Sequence, residues 1–290
     1  MLFNRKVKVK IGPPGSEQGI GLDGLRINFE VKKSIKNDNT ATISITNLSE
    51  STRNKINEID DIIILEAGYE DDTDRTVFIG NISRIVKPRQ GADIVTTVEA
   101  NDGGKIKREN ITSKSYKKGM PVFDIFEDLI SEFGLPSKIE SRLRVKLQQE
   151  RSEFTNGYSH IGQTKEALDK VAKKLGIEWT IQNDTVKVVE KGKTDNDQTR
   201  SVLLSENSGL IGYPIRKDDI ENGSNKEERK KGWEVKSLLR PIIEPAGIIT
   251  LDTKLLDNVK TQFRVETVTH KGDNWGNDFY SFSTVSEIKV

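Results

Sequence analysis

The chain has 290 residues, 33% of them apolar and 31% charged, a composition that allows two or three domains with modest cores. Lysine and arginine number 46 against 45 aspartate and glutamate, a net charge of +1, whereas a dedicated nucleic-acid binder shows a basic excess or a basic stripe. Cysteine is absent, which excludes disulfides, thiolate catalysis and cysteine-based zinc sites and fits a protein made in a reducing cytoplasm.

The first residues, MLFNRKVKVKIG, carry basic side chains but no apolar run of secretory type, so no signal peptide is expected. No run of 18 apolar residues occurs, so the expectation is a soluble, multi-domain protein without membrane anchoring. Val7, Val9 and Ile11 alternate with basic residues and predict a first strand over 6–11. The loop PPGSEQGIGLDG follows. Its Gly19-Ile20-Gly21-Leu22-Asp23-Gly24 matches G-x-G-x-x-G in form, but that pattern grips phosphate only between a strand and a helix. Here a strand comes next, so the reading is a loop.

Leu25, Ile27, Phe29 and Val31 alternate with polar residues, and so do Ala41, Ile43 and Ile45. Side chains alternate faces along a strand, so each run predicts a strand with one buried face. The intervening KKSIKNDN reads as a polar loop, and Ser49 is placed to cap a short helix through Ile56. Ile62–Leu65 and Val77–Val86 predict a hairpin whose tip, EAGYEDDTDR, is acidic. Asp71, Asp72 and Asp74 do not fit the calcium-loop template, which needs a glycine at the sixth position and a glutamate at the twelfth. Ala92–Ala100 adds a strand. About six strands in the first hundred residues point to a small antiparallel barrel or sandwich.

Residues 101–119, NDGGKIKRENITSKSYKKG, are basic with a single aromatic, Tyr116, and read as a solvated linker rather than a nucleic-acid surface. From Pro121 the period becomes helical: Val122, Phe123, Ile125, Phe126, Leu129, Ile130 and Phe133 share one face, with Gly134 as the stop. A second helix is expected from Thr164, as N-cap, to Gly176, followed by a hairpin of 177–181 and 185–189 across Gln182-Asn183-Asp184. Lys191–Thr199 reads as a second linker. Strands are expected again at 201–204, 232–239, 247–251, 262–270 and 278–290, with the charged segment 218–232 as a hairpin tip or disordered loop.

Nothing in the chain forms a recognisable catalytic site. His160 and His270 fall in different predicted parts, and neither a G-x-S-x-G elbow nor an H-E-x-x-H pair exists. Asp218, Asp219 and Glu221 crowd together in a charged loop where nothing would desolvate them. No pair among the 45 carboxylates stands out as a glycosidase pair. Trp179, Trp233 and Trp275 sit beside predicted strands or turns and read as core or interface packing. No residue is therefore assigned to catalysis, to a cofactor or to a metal.

The order strand, loop, strand, Asn47-Leu48-Ser49 and a short helix resembles the opening of the baseplate hub proteins of contractile-tailed bacteriophages. Ser208-Gly209-Leu210-Ile211-Gly212-Tyr213-Pro214, followed by GWEVKSLLRPIIEPAGIITL, is similar to a later pattern of that family. The stretch from Val265 through His270, Gly272, Asp273 and Asn274 to Tyr280 resembles its closing hairpin, although 218–231 is longer and more charged than the family pattern.

The resemblance implies two tail-tube-like antiparallel β-barrel domains, 1–104 and 193–290, flanking a small α+β domain, 105–192, with two helices and a hairpin. It also implies a homotrimer acting as a symmetry adaptor. One face would meet the sixfold tail-tube protein or a tube initiator, the other the central spike protein, with baseplate wedge proteins nearby. DNA would pass through the lumen without specific binding, past polar or acidic side chains. The protein would be assembled in the host cytoplasm and reside in the virion. Another tail component, such as a distal-tail adaptor or the hub of a phage-derived injection machine, and a tail-associated cell-wall hydrolase are the alternatives.

Overall fold

Alternation of apolar and polar side chains sets the first part of the molecule. In a computed structural model, which describes residues 4–15, 19–56, 58–70, 76–195, 201–220, 230–253 and 260–288, it comprises β1 (Arg5–Gly12), β2 (Ile20–Leu22), β3 (Ile27–Ser34), β4 (Thr40–Thr46), α1 (Glu50–Lys55), β5 (Ile62–Tyr69), β6 (Thr76–Val86), β7 (Arg89–Gln90) and β8 (Asp93–Asn101). Val7, Val9, Ile11, Ile27, Phe29, Val31, Ala41, Ile43 and Ile45 all face one core, the arrangement the period of two dictates. Ser49 caps α1, its side chain accepting the Thr52 N–H at 3.1 Å. The glycine-rich loop differs from expectation in one respect. Ile20 and Leu22 keep the alternation, so 20–22 forms a strand against β1, with Val9 opposite Leu22. No helix follows it, and the phosphate-binding form is absent there. Asp71, Asp72 and Asp74 lie outside the described residues.

The middle part is α2 (Gly104–Glu109), β9 (Ile111–Tyr116), α3 (Val122–Ser131), β10 (Ser137–Ile139), α4 (Ser141–Glu150), β11 (Tyr158–Gln163), α5 (Thr164–Leu175), β12 (Ile177–Gln182) and β13 (Thr185–Glu190). The expected linker at 101–119 is instead folded. It supplies α2 and β9, buries Lys107 with its Nζ 2.8 Å from Asp38, and pairs β9 with β11. The described residues hold helices beyond the two expected. Helix α4 was not anticipated because only Leu143 and Leu147 are apolar and buried on it, too few for a clear 3.6-residue period. Thr164 is the first helical residue rather than the cap, its hydroxyl bonding to Asn110. The β12–β13 turn is two residues long, Asn183 and Asp184 with φ of 51° and 57°, the geometry that a tight hairpin needs.

The last part is β14 (Val202–Leu204), β15 (Leu210–Ile220), β16 (Lys230–Leu238), β17 (Ile248–Asp252), β18 (Lys260–Asp273) and β19 (Phe279–Glu287). Strand β15 takes in Leu210–Pro214 of the motif that began at Ser208. It pairs with β16, so the charged segment between them joins the strands of a hairpin. The described start of the second expected linker, 191–195, is solvated only in part, with Lys191 and Lys193 exposed. Thr194 and Asp195 are buried, and the Asp195 N–H donates to the Ala246 carbonyl at 2.9 Å.

Among the described residues neither β part closes into a barrel by itself. They belong to one 14-stranded sheet in the order β15-β16-β19-β18-β3-β4-β8-β6-β5-β1-β2, and this path is open at both ends among the described residues. The cause is β18, which is 14 residues long. Its first half pairs with β17, it shifts register between Val265 and Thr267, and its second half pairs with β3, His270 opposite Val31. Strand β19 accompanies it on the other side. The chain is thus mainly β, with a smaller α+β part. Three apolar clusters lie within it: one under the first strands, one among α3, α4, α5, β12 and β13, and one under the last strands. Phe279 of β19 enters the first cluster, edge-on to Tyr69 at 5.3 Å and to Phe29 at 6.3 Å.

Candidate functional site at the junction of the three parts

Where the three parts meet, the molecule buries charge. Strand β3 exposes Asn28 and Lys32 on its outer face, but its last residues, Lys33 and Ser34, are buried on both faces. The β12–β13 hairpin covers them there: Thr180 Oγ1 lies 3.4 Å from the Ser34 carbonyl, and Asn39 Nδ2 donates to the Ile181 carbonyl at 2.9 Å. The Lys33 side chain is 0% exposed, with Nζ 3.6 Å from Glu244 of the last part. Lys187 of β13 pairs with the same carboxylate, and Asn183 Nδ2 donates to it at 3.4 Å. Glu244 therefore receives groups from both other parts.

Asp102, at the end of β8, is fully buried beside this cluster. It accepts the Asn183 N–H at 2.7 Å, the Asp184 N–H at 3.4 Å and Asn39 Nδ2 at 3.4 Å. Burial pushes its carboxyl up to about 6, against the pull of those N–H donors and of Lys33. Burial likewise lowers the Lys33 ammonium, although Glu244 and Asp102 oppose it. Glu244 is raised by burial but held below the usual carboxylate range by Lys33 and Lys187. His270 on β18 is buried and falls to about 3, through burial and then the charge of Lys33. Its Nδ1 is 2.9 Å from Ser281 Oγ.

A second cluster fastens the middle part to the last. Arg264 of β18 has a side chain 1% exposed. Its Nε donates to the Lys193 carbonyl at 2.8 Å, Nη2 to Glu178 of β12 at 2.8 Å, and Nη1 to Glu266. Ser286 Oγ donates to the other Glu266 oxygen at 2.6 Å. A guanidinium presents five fixed donors, which suits three acceptors at set angles.

The closing turn is braced to the opening strands. Asp273 accepts the N–H groups of Trp275 and Gly276, each at 2.9 Å, and pairs with Arg26 at 2.8 Å. Asn274 accepts the Ile27 N–H at 2.8 Å and donates to the Leu25 carbonyl at 2.7 Å. Arg5 donates to the carbonyls of Asp273, Gly276 and Asn277. Two of the three sequence segments that carried the resemblance, the opening strands and the closing hairpin, meet here.

Perturbed acid–base behaviour marks either a reactive site or a structural ion-pair network. Here Lys33, Asp102 and Glu244 are each bound to side chains or backbone of a neighbouring part, so the arrangement holds three bodies in one relative orientation. His160, on β11 with Nε2 3.0 Å from the Gln163 carbonyl, is not drawn into the network with His270. Asp218 and Asp219 fall on β15, and Glu221 lies outside the described residues. No group of three or more His, Cys, Asp or Glu side chains able to hold a metal occurs among the described residues. No helix among them is long and apolar enough to cross a membrane. Trp179 packs on Phe133 and donates to Asp169 at 2.9 Å, Trp233 lines the third core, and Trp275 is exposed.

None of Lys33, Asp102, Glu244 or Arg264 was legible as a site residue. Each is an ordinary charged residue in sequence and becomes special only through the part that covers it.

A model of the baseplate hub gp41 family matches residues 6–285. This chain belongs to that family. No curated protein sequence matches it. Among solved structures, the hub chain is similar to a tail protein from Neisseria meningitidis MC58, with 9% identity, a TM-score of 0.68 and coverage of 98% of this chain and 97% of that one. It is also similar to the 43 kDa tail protein of prophage MuSo2 from Shewanella oneidensis, at 10% identity, a TM-score of 0.65 and 98% of both chains. The E. coli c3393 protein, a component of the type VI secretion system with structural similarity to the T4 tail proteins gp27 and gp5, aligns at 11% identity, with a TM-score of 0.62, over 97% of this chain and 77% of its own. At these identities the structures establish a shared fold, and the family match establishes a baseplate hub and so a structural component of the virion tail.

Proposed function

We propose that the protein is a trimeric symmetry adaptor at the centre of a phage tail baseplate. Three copies would close a ring in which the β parts within 1–104 and 193–290 serve as two tail-tube-like units per chain, six around the ring. One face meets the sixfold tail-tube protein or a tube initiator, and the other carries the trimeric central spike protein. Residues 105–192 stand outside the ring, within reach of baseplate wedge proteins. The observation that supports this most is the β3–β18 pairing, which joins two β parts of one chain edge to edge as neighbouring subunits of a tube would be joined. The sheet's open ends, β15 and β2, are then the edges that neighbouring copies cover.

The role is mechanical. The junction of Lys33, Asp102, Lys187, Glu244 and Arg264 fixes the angle between the parts, which a ring of defined diameter requires. DNA passes through the lumen without specific binding, because the bore presents polar or acidic side chains that do not retain phosphates. Assembly takes place in the host cytoplasm. The likeness to a type VI secretion component supports a second reading, the hub of a phage-derived injection machine, with the same ring. Electron microscopy of the purified chain with its tube protein tests the proposal. Threefold rings with a wall of six similar units and a bore free of lysine and arginine are expected; open or monomeric particles, or a basic bore, would refute it.

A further inference from the structure

The closing turn ends in a feature that the ring does not explain. Trp275 is 69% exposed, although the turn under it is held by several hydrogen bonds, from Asp273, Asn274 and Arg5. A rigid turn presenting a bare indole differs from an incidental surface aromatic, because the entropy cost of fixing the side chain's base is already met before anything binds. The indole stands on the rim of a cavity of about 550 Å³ that is also lined by Arg5, Lys6, Lys8, Asp23 and Glu66.

The ionic groups there are unequally engaged. Arg5 is committed to three carbonyls, Glu66 to Lys10 at 2.7 Å, and Lys6 lies 3.6 Å from Glu70. Lys8 has no partner among the described residues, so one cation is left facing the cavity beside the indole. Asp23 and Glu66 interrupt the cations of the lining, which suits a single carboxylate better than a run of phosphates. The cavity lies past the end of β2, at Asp23 and Gly24, so its occupant does not compete with a copy paired along that strand.

We propose that this cavity docks an extended segment of a partner protein that places an apolar side chain on Trp275 and a carboxylate on Lys8. The site is independent of the number of copies in the hub.

The chain contains three tryptophans, so 5-fluorotryptophan labelling gives three fluorine resonances, with that of Trp275 assigned from Trp275→Phe. The probes are a blocked peptide of alternating leucine and aspartate, its leucine–lysine counterpart and a single-stranded oligonucleotide. Saturable movement of the Trp275 resonance alone with the leucine–aspartate peptide is expected, weakened roughly tenfold or more by Lys8→Glu, while Trp179 and Trp233 stay in place and report an intact fold. No movement, equal movement with the lysine peptide, or movement with the oligonucleotide overturns the proposal. A change in native mass caused by Trp275→Ala overturns it too, since the occupant would then be a second copy of this chain. The hub reading fails separately, through the native mass of the unaltered protein.

Discussion

Replacing Arg264 with alanine removes three bonds at once and leaves two carboxylates behind. Glu178 and Glu266 are 11% and 8% exposed at the side chain, and the Lys193 carbonyl loses the donor it had at 2.8 Å. Breaking a buried ion pair by deleting one partner costs about 3–5 kcal/mol, because the remaining charge stays buried without compensation. For a chain of this size each kcal/mol lowers the melting temperature by about 2–4 °C, so a drop on the order of 10 °C is expected. The assay is urea and thermal unfolding near neutral pH, read by circular dichroism and by Trp179 fluorescence, since Trp179 lies in the middle part that Arg264 anchors. A triple variant, Arg264→Met with Glu178→Gln and Glu266→Gln, removes all the charge and is expected to recover most of the loss. An Arg264→Ala protein within about 1 kcal/mol of the parent, or a triple variant no better than the single one, would refute the reasoning that this cluster fastens the parts together.

The pH dependence comes from two groups of opposite sign. Asp102 has a folded value of about 6 against 3.8, so its contribution is fully present below 3.8 and is lost as pH rises through 6, a difference of about 3 kcal/mol. His270 has a folded value of about 3 against 6.5, so its contribution is present above 6.5 and is lost as pH falls toward 3. Urea midpoints of the parent are therefore expected to be nearly flat between about pH 6 and pH 4, to fall in Asp102→Asn as the pH is lowered over that range and to rise in His270→Gln; parallel curves for all three proteins would count against the assignment. Gly272→Ala places a Cβ inside the contact shell of the Phe29 and Phe279 rings and is expected to cost about 1–3 kcal/mol in unfolding experiments. Ser49→Ala removes the acceptor for the Thr52 N–H and is expected to cost about 1 kcal/mol, with faster amide exchange confined to α1.

The sequence made the strands with one solvated face easy to read, because Ile27-Phe29-Val31 and Ala41-Ile43-Ile45 carry their burial in their spacing. Helices α3 and α5 were equally plain, with wide apolar faces bounded by Pro121 and Gly176. The segments that were misread share one property. KKSIKNDN, the basic run 101–119 and Lys191–Asp195 are polar and look solvated, yet each has residues covered by another part of the chain, Lys33, Lys107 and Asp195 among them, and no local pattern reports a neighbour far along the sequence. Lys33 and Asp102 belong to that class, so the junction was hidden. The expectation of two barrels came from the resemblance, while the single open sheet follows from the length of β18, of which only 262–270 was legible as strand.

Whether three copies form a ring is decided by the native mass of the purified chain, measured alone and after co-expression with the spike protein. Three copies, or three of each chain in the complex, are expected over a range of concentrations. A monomer in both preparations, unchanged by concentration, would contradict this and leave the joined β parts without a ring to build.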